Sequence, residues 1–222
     1  MIARLFTGAV WNPGGKTRGL RGGFLTILAR DGIIRATDCS HFEGKDAARR
    51  MKAIAVVDEN WGLGRDGKLL VHLPGDLRYF KEKTLGRTIV LGRETFEGMG
   101  SRPLAGRETV LLTRNRDYKA DCRICHSLEE LLAYAREKDR GDVFAAGGEM
   151  VYRLLLPFCD TVFVTKIYAA FAADRHFPNL DARPEEFEIA WRGEAREESG
   201  VRYQFFEYKR KNGERKKWPQ SA

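Results

Sequence analysis

No apolar run in this chain approaches the roughly 18 residues that a membrane-spanning helix needs. The best candidates, residues 23–28 and 154–158, have the length of core segments. The N-terminus reads as a poor secretory signal: Arg4 leads only a short apolar stretch, and Gly14-Gly15-Lys16 interrupts it. A cytoplasmic protein without membrane contact is the expectation. Cysteine is scarce, with Cys39, Cys122, Cys125 and Cys159 spread over 222 residues. Four are too few to staple a chain of this length, so reduced thiols are the simplest account. Lone histidines and scattered acids show no ligand spacing, and no metal is expected. No internal repeat is visible.

A basic folded body is missing as well. The net charge of +8 suggests nucleic acid until its location is traced. Residues 1–50 carry nine Lys and Arg against four Asp and Glu, and residues 207–222 carry six against two. Residues 51–206 are left with 24 basic and 25 acidic side chains. A nucleic-acid-binding domain should carry its excess on the folded body. No nucleic-acid partner is expected, although the basic tail could touch a polyanion loosely.

What is present is globular: 43% of residues are hydrophobic and 11% aromatic, enough for one domain with a core. Residues 1–50 show no sustained period and are rich in Gly and Arg. From Met51 the texture changes. Lys52-Ala-Ile-Ala-Val-Val57 reads as a buried strand, followed by a Gly-punctuated loop over 58–72. Pro74 opens a helix over 74–84. Strands at 88–91, 109–113, 123–125 and 143–146 alternate with helices at 94–99, 128–138 and 149–156. Ser127 is the expected cap of the third of these four helices. Strands at 161–167, 187–191 and 203–209 follow without helices between them. This order gives an α/β single domain with a central mostly parallel sheet of about eight strands, an antiparallel C-terminal edge and about four flanking helices. The expected division is an extension at 1–50, a domain at 51–210 and a basic tail at 211–222. The extension is expected to be poorly ordered or outside the native product, with Met51 a domain start and a candidate translation start; a targeting segment is the alternative.

Several constellations could carry chemistry. Asp76 is the one acid in an apolar helix opening, Leu73-Pro-Gly-Asp-Leu-Arg-Tyr-Phe-Lys81. Taken alone it reads as a helix-start acid. The sharper reading is a pocket carboxylate, whose two oxygens match two parallel N–H donors. Gly147-Gly148, between a strand and a helix, lets a ligand approach the backbone. Arg93 and Arg114 end two strands beside helix starts, where a phosphate would sit. Each signal is weak alone.

In order and spacing they are not. Asn60-Trp-Gly-Leu-Gly64, Leu73-Pro-Gly-Asp76-Leu, Phe80-Lys81, Leu91-Gly-Arg-Glu-Thr95, Arg102-Pro-Leu-Ala-Gly-Arg107, Gly147-Gly148 with Tyr152, Thr165 and Asp174-Arg-His-Phe-Pro178 together resemble dihydrofolate reductase over about residues 51–210. The resemblance implies a monomeric enzyme that passes a hydride from NADPH to the pterin ring of 7,8-dihydrofolate. It implies Asp76 and Thr165 as the catalytic pair, with Asp76 holding the pterin and promoting protonation of its imine nitrogen. Ala55, Leu77, Phe80, Met99 and Tyr152 would line the slot. Arg107 would grip the substrate's glutamate carboxylate, assisted by Lys81 and Arg102. For NADPH it implies Gly92, Arg93, Thr95, Thr113 and Arg114 around the adenosine phosphate, His126 near the adenine ribose, and Gly147, Gly148, Glu149, Met150 and Val151 at the pyrophosphate. Val56, Leu63 and Gly64 would lie near the nicotinamide, under a mobile loop over 60–70. Two positions depart from the family's pattern. Leu70-Val71 stand where Pro-Trp is usual, and Glu94 stands beside Arg93 where a neutral or basic residue suits a 2′-phosphate.

Other readings carry less. Cys122-Arg-Ile-Cys125-His126 spells a haem-attachment pattern, but residues three apart on a strand point to opposite faces. Gly15-Lys16-Thr17 ends like a phosphate loop, yet Val10 stands where its first glycine must be. A related reductase of the same fold, acting on another pterin or a riboflavin-pathway pyrimidine, is the enzymatic alternative; Asp76 with Arg107 argues against it. A non-catalytic binding protein is the alternative from another class.

Overall fold

Five buried residues out of seven, Met51, Ala53, Ala55 and Val57 on one face and Ile54 on the other, make β3 (Met51–Val57) a central strand, covered on both faces. The computed structural model describes residues 51–138 and 142–211, together with the backbone of β1 (Thr26–Ala29) and β2 (Gly32–Arg35). The chain divides into two compact units, Met1–Arg49 and Arg50–Ala222. In the first, β1 pairs antiparallel with β2, Thr26 opposite Arg35; the sequence shows no period there. The remaining expectations for residues 1–50, including the Gly15-Lys16-Thr17 element, and for residues 212–222 lie outside the described residues.

The second unit is built on a large mixed sheet. Its strands are β3, β6 (Thr88–Gly92), β7 (Glu108–Leu112), β8 (Arg123–Cys125), β9 (Val143–Gly147), β10 (Cys159–Ile167), β12 (Phe187–Arg192) and β14 (Val201–Arg210), in the order β12-β14-β10-β3-β9-β6-β7-β8. β10, β3, β9, β6, β7 and β8 run parallel; β14 is antiparallel to β10, and β12 is antiparallel to β14. This is the expected mixed sheet with an antiparallel C-terminal edge, and β13 (Arg196–Glu198) adds a short partner to β14. A second, three-stranded sheet joins β4 (Gly62–Arg65), β5 (Lys68–Leu69) and β11 (Arg175–His176).

Among the described residues, four helices flank the main sheet: α1 (Pro74–Thr84), α2 (Arg93–Gly98), α3 (Leu128–Arg136) and α4 (Glu149–Leu155). α1 starts with Pro74, whose fixed φ and missing N–H suit a first turn. Ser127 caps α3 by accepting the Glu130 N–H at 3.2 Å. That helix buries Leu131, Leu132, Tyr134 and Ala135 on one face, each large apolar side chain contributing about 1.5–3 kcal/mol. α4 passes at Pro157 into a 3-10 turn, Leu156–Phe158, because proline cannot continue the ladder.

The order of strands fixes where a ligand can sit. From β6 the chain moves outward through α2 to β7 and β8. From β9 it moves the other way, through α4 and past β3 to β10. The adjacent strands β6 and β9 therefore send their carboxyl-end connections in opposite directions, which opens a crevice between them.

Candidate active site

The crevice is floored by glycine. Gly92 ends β6 and Gly147 ends β9. Gly147 has φ +141°, and a Cβ there would meet Thr95 Cγ2 at 2.9 Å. A Cβ on Gly148 would meet Thr95 Oγ1 at 2.7 Å, and one on Gly92 would rest on Val151 Cγ2 at 3.4 Å. Only glycine leaves backbone bare there. The Gly147–Gly148 peptide is cis. Arg93 begins α2 at the rim and is held by Glu97 at 2.9 and 3.0 Å. Glu94 lies 3.8 Å from Arg93 and 3.8 Å from Arg175. Thr113 is buried, Arg114 is exposed, and His126 Nδ1 is 3.1 Å from the Thr113 carbonyl. Glu149 accepts from the His176 N–H and pairs with Arg153, while Met150 is exposed.

The second wall starts at α1. Asp76 stands in its first turn, half-buried, and Thr165 Oγ1 of β10 donates to Asp76 Oδ1 at 2.6 Å. Burial pushes the Asp76 carboxyl above the usual carboxylate range, the Thr165 hydrogen bond works against that, and the charge of Glu198 adds to the rise. The register sets Thr165 beside Val56 of β3. Val56 thus shares the face of Asp76 and Thr165. The structure corrects one expectation here: Ala55, taken as a wall of the slot, is on the other face of β3, buried with Ala53, Val57 and Val164. Strand alternation puts neighbours on opposite sides, and sequence alone does not say which. Tyr152 is buried and its hydroxyl donates to the Ile54 carbonyl at 2.7 Å.

Farther out, Phe80 is half-buried and the Arg107 guanidinium lies over its ring at 5.7 Å, bonded also to the Ala105 carbonyl. Leu77, Met99, Lys81 and Arg102 are exposed along this rim. Leu63 packs on the core from β4, and Gly64 is buried in the same strand, where a Cβ would meet the Lys68 carbonyl at 2.4 Å.

Three positioning features escape sequence reasoning. The Ile54 carbonyl is invisible because it is backbone. Glu198 looks like one acid in a solvated charge run, yet it accepts from the Gly75 N–H at 2.7 Å. Asp58, 2% exposed, accepts from the N–H groups of Asn60, Gly62 and Phe171, tying two loops together. An Asp directly after a buried strand, followed by Asn and Gly, is the signal that could have revealed it. Cys122 and Cys125 join different hydrophobic clusters on opposite sides of the sheet. Among the described residues, no group of three or more His, Cys, Asp or Glu could hold a metal.

A family model described as Dihydrofolate reductase matches residues 50–210. A relative named Dihydrofolate reductase from Bacillus subtilis is 36% identical over 160 residues, covering 72% of this chain and 94% of its own. Dihydrofolate reductase type 3 from Salmonella typhimurium is 39% identical over 127 residues, 57% of this chain and 76% of its own. The solved structure of dihydrofolate reductase from Enterococcus faecalis complexed with NADP(H) and RAB-propyl aligns with a TM-score of 0.68 at 40% identity, covering 73% of this chain and 97% of that one.

Proposed function

This chain belongs to the dihydrofolate reductase family, and from that premise we propose that it transfers a hydride from NADPH to 7,8-dihydrofolate, giving tetrahydrofolate. One observation carries the reading: a lone half-buried acid at a helix start, fixed by a buried threonine hydroxyl, on the face of β3 that carries Val56. The two carboxyl oxygens of Asp76 suit the paired N–H donors of a pterin edge. Thr165 fixes one oxygen and so the plane of the carboxyl. Because burial raises its proton affinity, Asp76 holds a proton to higher pH than an exposed carboxyl and can promote protonation of the imine nitrogen, directly or through water. Val56, Leu77, Phe80, Met99 and Tyr152 bound the slot in this reading. Arg107 grips the remote carboxylate of the substrate, with Lys81 and Arg102 beside it.

The bare backbone at Gly92, Gly147 and Gly148 fits a dinucleotide, since any Cβ would fill the cradle. Arg93, Thr95, Thr113 and Arg114 take the adenosine phosphate in this reading, with His126 near the adenine ribose. Glu149, Met150 and Val151 follow the glycine turn, and Leu63 and Gly64 lie toward the nicotinamide. When bound, NADPH supplies the hydride; the protein aligns donor and acceptor carbons and excludes water. The reading extends to a cytoplasmic monomer without a nucleic-acid partner, supported by the near-neutral charge of residues 51–206. Among the described residues, no helix is long and apolar enough to cross a membrane. A related reductase of the same fold is not favoured by the family match.

The test is spectrophotometric. Purified protein should oxidise NADPH only when dihydrofolate is added, and should use NADH and folate more poorly. Equal oxidation without dihydrofolate would exclude the reading, and light scattering would check the monomer.

A further inference from the structure

The turn that carries Asp76 is secured from far away in the chain. At Leu73, α1 has no side-chain cap of its own, and Pro74 has no N–H to offer. The next N–H, that of Gly75, donates to Glu198 Oε2 at 2.7 Å across 123 positions of sequence. Glu198 closes β13, and its other oxygen takes Arg78 Nη2 at 3.1 Å. The Tyr203 hydroxyl bonds to the same carboxylate. Contact is so close that a Cβ on Gly75 would meet Tyr203 Oη at 2.1 Å and Glu198 Oε2 at 2.8 Å.

We propose that Glu198 is a positioning residue for the reduction: it clamps the first turn of α1 against the β13–β14 hairpin and sets the charge environment in which Asp76 works. The proposal rests on the reading of Asp76 as the pterin-binding acid. Two consequences of the geometry support it. A carboxylate at a helix start completes a vacant acceptor position and favours the helix dipole. The same charge faces the residue next in sequence to the one it caps. Asp76 is met by Thr165 from β10, by Tyr152 from α4, by Tyr79 from its own helix and by Glu198 from the hairpin. Of these four, only Glu198 brings a charge, and it raises the proton affinity of Asp76 beyond what burial does. Glu198 itself stays ionised: the Gly75 N–H, then Tyr203 and Arg78, outweigh its desolvation and hold it below the ordinary carboxylate range. The clamp and the charge are separable, because glutamine keeps an acceptor oxygen and loses the charge, whereas alanine loses both.

The experiment uses the full chain with 13C-labelled aspartate, the Asp76 resonance being identified by its loss in Asp76→Asn. In Glu198→Gln the Asp76 titration should move to lower pH, and the alkaline limb of the kcat profile should move with it, because turnover needs the proton. Its kcat at low pH should stay within about threefold of the parent. In Glu198→Ala, kcat should fall about tenfold, the KM for NADPH should hold, and the Gly75 amide should exchange faster. An unmoved Asp76 titration in the glutamine variant would overturn the charge effect. Parental kcat with an unchanged Gly75 amide in the alanine variant would overturn the clamp. Should Asp76→Asn remain fully active while these shifts appear, the functional reading fails and the clamp stands.

Discussion

The two ends of β6 and β7 make opposite use of charge. At their amino ends Thr88 and Glu108 face each other in register and close on themselves. Glu108 accepts from Thr88 and Tyr134 and pairs with Lys138 at 2.8 Å, and Arg87 pairs with Asp142 nearby. Burial works against Glu108, but the bonds from Lys138, Tyr134 and Thr88 outweigh it and hold the carboxyl at about 2. At the carboxyl ends the charges are only partly paired. Arg93, after β6, is paired with Glu97, whereas Arg114, after β7, is exposed; Arg107, just ahead of β7, reaches among the described residues a carbonyl and a ring face, with no carboxylate. A satisfied network stabilises but has nothing left to offer a ligand; an unsatisfied one binds. The depression at the amino ends, lined by Arg87, Glu108, Glu137, Lys138 and Asp142, is therefore structural despite its polarity.

Substitutions at the two ends should separate activity from stability. The largest effect belongs to Asp76→Asn, which should lower kcat by about 10³-fold at neutral pH with little change in melting temperature. Retained turnover would remove Asp76 from the chemistry. Next is Gly147→Ala at φ +141°. It should cost about 1–3 kcal/mol of stability and raise the KM for NADPH, read by calorimetry and kinetics together; an unchanged KM would mean that the cradle does not touch the cofactor. Arg107→Leu should raise the KM for dihydrofolate about tenfold or more, the loss of one charge-assisted contact, while kcat holds. A fall in kcat at constant KM would contradict that role.

The smallest effect sharpens the contrast from the other side. Glu108→Gln should leave kinetics untouched and cost below about 1 kcal/mol, since the pair is partly exposed and screened. The sign of its pH dependence follows from a depressed carboxyl. Its contribution is fully present above the ordinary value of 4.5 and is lost as pH falls toward about 2. Acid unfolding curves of parent and variant should converge in that window. Curves that stay parallel would show that the network does not act through Glu108.

Long elements with a period were legible in the sequence. The buried run of β3, the proline start of α1 and the Ser127 cap of α3 all stand where local chemistry puts them. The small sheet of β4, β5 and β11 was not legible, because two- and four-residue strands holding Gly62 and Gly64 have no period to read. At the site, residue types in a familiar order suggested Asp76 and Thr165, which meet at 2.6 Å. The facing of Ala55 and Val56 required the register of β3 against β10, a long-range fact. Glu198 needed more still, since its partner lies 123 residues earlier and nothing local distinguishes it from the acids beside it.

The last strand has a consequence for how the protein is made. β14 pairs with β10, β12 and β13, and at its end the buried Arg210 bonds to the Leu156 and Cys159 carbonyls and to Glu186. Thr165, the hairpin with Glu198 and Tyr203 all depend on it. A growing polypeptide would emerge from the ribosome with most of its sheet and no competent pocket until residue 210 had cleared the exit tunnel. Dihydrofolate capture by stalled nascent chains of increasing length should therefore switch on late and abruptly, and gradual onset would show that the pocket assembles without its final strand.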